Sequence, residues 1–130
     1  MSKKLTNIAS QIENSHTGSR LDKPKVLFKL CIDDCLENGY SFQKMNRTGL
    51  KDLDDFINQT IGKKLTISQV DKMFLRTKGS VKVTEKIKGI KRDILHYGKN
   101  RKKFRVHGYY NENGYFVLTQ IDPKHRKYPD

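Results

Sequence analysis

"FRVHGYYNENGYFVLTQIDPKH", residues 104–125, decides the fold of this chain. Two alternating runs flank Asn113-Gly114, a dipeptide that accepts the positive φ of a type I′ turn. The stretch predicts a β-hairpin, with one strand over 103–110 and a partner ending at Asp122-Pro123, because proline cannot continue a ladder. Successive side chains point to opposite faces of a strand. Phe104, Val106, Gly108 and Tyr110 then share one face with Val117, Thr119 and Ile121. Arg105, His107 and Tyr109 share the other with Phe116, Leu118, Gln120 and Asp122. Helices are expected on the Val106 face, leaving the Arg105–His107–Tyr109 row open to water.

Upstream, three apolar stripes at helical spacing stand ahead of the hairpin. Val26, Leu27, Leu30, Cys31 and Cys35 predict a helix from Pro24 to Asn38, capped by Asp22 and stopped by Gly39. In that helix the two cysteines are buried thiols one turn apart. Leu50, Leu53, Ile57 and Ile61 predict a second helix over 49–60, capped by Thr48. Thr66 with Gln69 reads as a capping box ahead of a third helix, whose stripe is Val70, Met73 and Phe74. Residues 81–97 fit helix or strand, and β-branching tips 93–97 toward strand. "GKNRKK" follows as a basic turn. The expected architecture is a single α+β domain over 23–130, with helices in 24–78 and a small antiparallel sheet in 93–128. A flexible arm over 1–22 precedes it.

The chain of 130 residues has a net charge of +13 and 35% hydrophobic residues, which allows one modest core. No apolar run reaches the roughly 18–20 residues that span a bilayer, and "MSKKLTNIASQIENSHTGSR" has no apolar leader segment. A cytoplasmic protein without a membrane partner is expected. The charge is uneven: residues 1–60 carry 9 Lys/Arg against 8 Asp/Glu, and residues 61–130 carry 18 against 6. Concentrated positive charge attracts phosphate polymers through counterion release.

The tail "PKHRKY" emerges beside the beginning of the neighbouring strand. Lys102, Lys103, Arg105, Tyr109, Lys124, Arg126 and Lys127 are the expected nucleic-acid contacts. His107 or His125 supplies a proton carrier, since RNA cleavage needs a base for the 2′-OH and an acid for the leaving oxygen. Tyr128 donates a proton or orients a base. No metal or other cofactor is expected. The same face would also serve a binding protein that does not cut, such as a DNA- or RNA-binding regulator or a mobile-element accessory factor, or a module that meets an acidic protein.

"FRVHGYY", "YFVLTQID" and "PKHRKY" resemble the RelE-like family of bacterial toxins, small basic proteins whose helices precede an antiparallel sheet. The likeness covers the C-terminal third. It implies a metal-independent endoribonuclease, RNA as substrate ahead of DNA, and an acidic antitoxin as partner. The residues it brings forward are Arg105, His107, His125, Arg126 and Tyr128.

Overall fold

A computed structural model of the chain describes residues 21–37, 39–76, 82–87, 89–99 and 102–124. Its strands are β1 (Leu30–Cys31), β2 (Lys82–Ile87), β3 (Ile90–Tyr97), β4 (Arg105–Tyr110) and β5 (Phe116–Asp122). Two helices, α1 (Arg47–Thr60) and α2 (Ile67–Phe74), lie between β1 and β2. The sheet order is β1-β5-β4-β3-β2. β2 to β5 form an antiparallel meander, and β1 adds parallel to β5 at the edge, Leu30 opposite Phe116.

The expected fold class is corrected in two respects: the sheet is mixed and five-stranded, and the N-terminal half is not uniformly helical. No helix forms over 24–38. Val26, Phe28 and Leu30 alternate, and all three belong to or pack on the main core, while Leu27 and Ile32 are exposed. An apolar run with few polar interruptions fits period 2 as well as period 3.6. Backbone partners decide between them. The Phe28 N–H donates to Leu65 O, Val26 O accepts from the Ile67 N–H, and the Phe116 N–H donates to Lys29 O. Without the helix the thiols separate: Cys31 is half-buried and Cys35 is exposed.

α1 begins at Asn46, whose side chain accepts from the Gly49 N–H at 2.8 Å, two residues ahead of the expected cap. Its buried line is Gly49, Leu53, Phe56 and Thr60, and Leu50 faces water. α2 opens on the expected capping box, with Thr66 N–H donating to Gln69 at 2.8 Å and Gln69 N–H to Thr66 Oγ1 at 3.3 Å. Ile67, Val70 and Phe74 are buried there, while Met73 is exposed. The ambiguous stretch 81–97 becomes the β2–β3 hairpin, turning at Gly89.

Both helices pack on one face of the sheet. Phe28, Phe56, Phe74, Tyr97, Val106, Tyr110, Phe116, Leu118 and Ile121 meet there. The Tyr97 hydroxyl bonds Asp71 of α2 and lies 2.6 Å from the Tyr110 hydroxyl, tying helix to sheet inside this core. Burial, with the neighbouring Tyr110 and Asp71, pushes the Tyr97 phenol well above its ordinary range, and burial does the same to Tyr110.

The β4–β5 loop is five residues long, Asn111 to Tyr115, so the expected type I′ turn at Asn113-Gly114 is corrected. Gly114 alone in this loop has positive φ (+79°), and the Asn111 side chain accepts from the Asn113 and Tyr115 N–H groups. The odd length shifts the first pairs by one residue: Tyr110 opposes Phe116 and Tyr109 opposes Val117. A bulge then restores the register, and His107 opposes Gln120, Val106 opposes Ile121 and Arg105 opposes Asp122. Phe116 and Leu118, expected on the polar face, therefore join the helix-side core, and Val117 faces the other way with Tyr109 and Ile94.

Candidate nucleic-acid interface

Arg105, His107 and Tyr109 do share the face away from the helices, but that face is not open. Arg105 is 4% exposed, His107 0% and Tyr109 5%. Neighbouring strands add Arg92, Ile94, His96, Val117, Gln120 and Asp122, all buried as well. The row expected to contact RNA is thus interior, and each member has a structural engagement.

Tyr109 carries the Arg92 guanidinium over its ring at 4.7 Å, and Arg92 pairs with Glu112 at 3.0 Å. At 5% exposure Tyr109 offers a base little ring surface to stack on. His107 Nδ1 lies 2.7 Å from Gln120 Oε1, and Gln120 Nε2 donates to the Glu37 carboxylate. A carboxylate can only accept here, so the amide orientation is fixed and its oxygen faces the imidazole. His107 must then donate from Nδ1. His96 lies with its ring centroid 4.6 Å from that of His107. This line of groups runs from the exposed Glu37 into a buried imidazole pair, and no phosphodiester reaches it.

Arg105 turns its guanidinium onto the chain itself. Its Nη1 donates to Lys102 O at 2.5 Å and to Phe104 O at 2.8 Å. Gly98 makes room: a Cβ there would sit 2.5 Å from Phe104 O and 2.7 Å from Arg105 Nη1. Arg105 thus braces residues 102–104, and Lys99, Lys102 and Lys103 are exposed.

The second face also has the wrong charge for a polyanion at its edge. A cavity of about 210 Å³ is lined by Asp33, Asp34, Glu37 and Glu85, with Lys86 the cation among its lining groups, and floored by Ile87, Tyr109, Val117 and Leu118. Five exposed lysines stand instead around one end of the sheet. Arg105 opposite Asp122 is the last ladder pair, so Lys102 and Lys103 precede it and Lys124 follows it at the same end. Lys44 joins Lys124 around a pocket of about 260 Å³, with Gly39, Tyr40, Asn46, Asp122 and Pro123. Lys99 and Lys102 line a separate pocket with Asp52 and Asp55 of α1. All five lysines are exposed.

Sequence reasoning found Lys102, Lys103 and Lys124 but missed Lys44 and Lys99. Lys44 is remote in sequence, and long-range contacts bring it close: the Ile121 N–H donates to Tyr40 O, and Gly49 packs on Pro123. His125, Arg126, Lys127 and Tyr128 lie outside the described residues, as do His16 and the expected arm except for its last two positions. Among the described residues, no three or more His, Cys, Asp or Glu are gathered so as to hold a metal ion, and no helix is long and apolar enough to cross a membrane. No family model matches the chain, and comparison with curated proteins and with solved structures likewise finds no match.

Proposed function

We propose that this is a cytoplasmic RNA-binding protein that grips the phosphate backbone with the lysine-bearing end of its sheet. The observation that carries this reading is the approach of Lys44, Lys99, Lys102, Lys103 and Lys124, from three separate segments, to one end of the sheet. Like charges repel, and a folded chain that gathers them at a braced loop gains most when a polyanion releases its counterions there. The resemblance to RelE-like toxins favours RNA over DNA. Cleavage is not part of the proposal, because two of its candidate groups, Arg105 and His107, are buried and engaged.

Fluorescence anisotropy with a single-stranded 12-mer RNA tests the reading. With three to five phosphates neutralised, log K should fall against log salt with a slope of about −2 to −3.5. Lys102→Glu with Lys103→Glu should weaken binding at least about tenfold, as two repelling charges would. Absent binding at 50 mM salt, or binding that ignores the double variant, overturns the proposal. A titration with an acidic protein segment in place of RNA would then be the next measurement. Gel analysis of the same RNA with chelator present checks cleavage directly.

A further inference from the structure

Among the described residues two aromatic side chains are exposed, Phe42 at 44% and Tyr115 at 38%. The Tyr115 ring is engaged, with Lys29 Nζ 5.7 Å from its centre. Neither a second ring nor a cation of the described residues packs on Phe42. A single exposed phenylalanine needs no explanation by itself, but this one has a particular mount. It opens a short 3₁₀ helix, Phe42–Lys44, that is fastened at both ends. Tyr40 O accepts from the Ile121 N–H at 2.8 Å, which straps the start to β5, and the Asn46 side chain caps α1 just past the end. Inside it the Lys44 N–H donates to Ser41 O and the Met45 N–H to Phe42 O, both at 3.1 Å. Met45, one turn on from Phe42, packs on the main core, while the larger apolar ring stays outside. A ring held out on a fixed backbone loses little freedom when something binds to it.

The exposed residues that flank the ring in sequence, Gln43, Lys44, Asn46 and Arg47, are all polar, and neither cation among them is in an ion pair with a described residue. Lys44 also lines the pocket it shares with Lys124. Asp122 lines that pocket too and offsets part of their charge, so the cations alone select no ligand. The ring does. Its face accepts another planar π-system, and the flanking cations favour one that carries negative charge. A nucleobase on its sugar-phosphate combines the two. A folded protein partner would need an apolar core of several side chains around the ring, which polar flanks do not supply. Bases inside a duplex are already stacked on one another, so the ring serves an unpaired base. We infer that Phe42 is a stacking platform for an unpaired nucleobase, with Lys44 and Arg47 taking the phosphates beside it. This rests on the RNA-binding reading above and adds base contact to a grip that otherwise touches the backbone alone.

The test measures the single-stranded 12-mer RNA and the same sequence annealed to its complement, each against the intact protein, Phe42→Ala, Phe42→Leu and Phe42→Trp. Phe42→Ala should weaken single-strand binding at least about fivefold, the lower end of what one base–aromatic stack contributes, and duplex binding less than about twofold. Phe42→Leu keeps apolar bulk without a π-face and should lose as much as Phe42→Ala, whereas Phe42→Trp should bind at least as well as the intact protein. The chain has no tryptophan of its own, so the indole of Phe42→Trp reports on this position alone, and the single strand should quench its fluorescence. Stacking displaces no counterion, so the plot of log K against log salt for Phe42→Ala should run below that of the intact protein with the same slope. A smaller loss in Phe42→Ala, an equal loss with single strand and duplex, or full affinity in Phe42→Leu overturns the stacking platform and leaves the RNA-binding reading standing. RNA that binds Phe42→Trp without quenching the indole overturns it as well. No binding of either RNA by the intact protein overturns both.

Discussion

At the scale of single residues, polar identity and polar exposure part company. Alternation along β4 correctly put Arg105, His107 and Tyr109 on one face, yet whether a face is covered depends on what packs over it, which periodicity does not encode. His107 is the sharpest case. A fully buried imidazole bonded to a buried amide contributes to stability, and its removal leaves a cavity and an unpaired Gln120 oxygen. His107→Ala should lower the unfolding free energy in urea by about 2–4 kcal/mol, while RNA affinity of the folded variant stays within about twofold. A stable variant that has lost RNA affinity would return His107 to the surface chemistry first expected of it. The tyrosine pair gives a pH prediction. Tyr97 and Tyr110 have folded pKa values raised above the unfolded value of 10.0, so their contribution is fully present below pH 10 and is lost as pH rises past it. With both phenols ionising only in the unfolded chain, stability should fall by about 2.7 kcal/mol per pH unit above pH 10 from this pair. Urea midpoints measured from pH 8 to 11.5 should show that slope roughly halved in Tyr110→Phe.

Elements were legible where a local interaction alone specified them. Thr66 and Gln69 satisfy each other's backbone within four residues, so the start of α2 could be read directly. The segment 24–38 carries no such local lock. Its apolar spacing suits two periods, and it becomes extended because Phe28 and Leu30 are claimed by the edge of β5 and by the helix-side core, long-range facts absent from the run itself. The hairpin lies between these cases. Its existence was plain, but a five-residue loop and a bulge, one offsetting the other, exchanged the faces of Phe116, Val117 and Leu118 and left Ile121 as expected. The bulge depends on Gly108. A Cβ there would sit 2.1 Å from Val117 O across the ladder and 2.8 Å from the Phe116 ring. The ladder carbonyl cannot move without breaking the register, so Gly108→Ala should cost about 3 kcal/mol or more, or prevent folding. Thermal unfolding followed by circular dichroism measures it, and a loss under about 1 kcal/mol would mean that β5 slips easily into the unbulged register.

For the whole molecule, the excess charge was visible in the sequence, but its arrangement was not. Counting placed it in residues 61–130, yet that half of the chain feeds both ends of the sheet. Lys86 and Lys91, paired across β2 and β3, belong to the end near Gly89, whereas Lys102 and Lys103 belong to the end where β4 begins. This separates two physical accounts of RNA affinity. If the long-range field of a +13 molecule is what attracts RNA, any two charge reversals are equivalent. If contact at the braced loop matters, position decides, because screening confines an exposed charge's influence to about 8–10 Å at physiological salt. Lys86→Glu with Lys91→Glu, and Lys102→Glu with Lys103→Glu, each take the net charge from +13 to +9, since each reversal removes two units. At 150 mM salt the first pair should weaken RNA binding by less than about threefold and the second by about tenfold or more, the difference between a screened and a direct phosphate contact. At 20 mM salt the two should converge, as the screening length grows toward the width of the molecule. Equal losses at 150 mM would assign the affinity to net charge and take away the sheet end as a site.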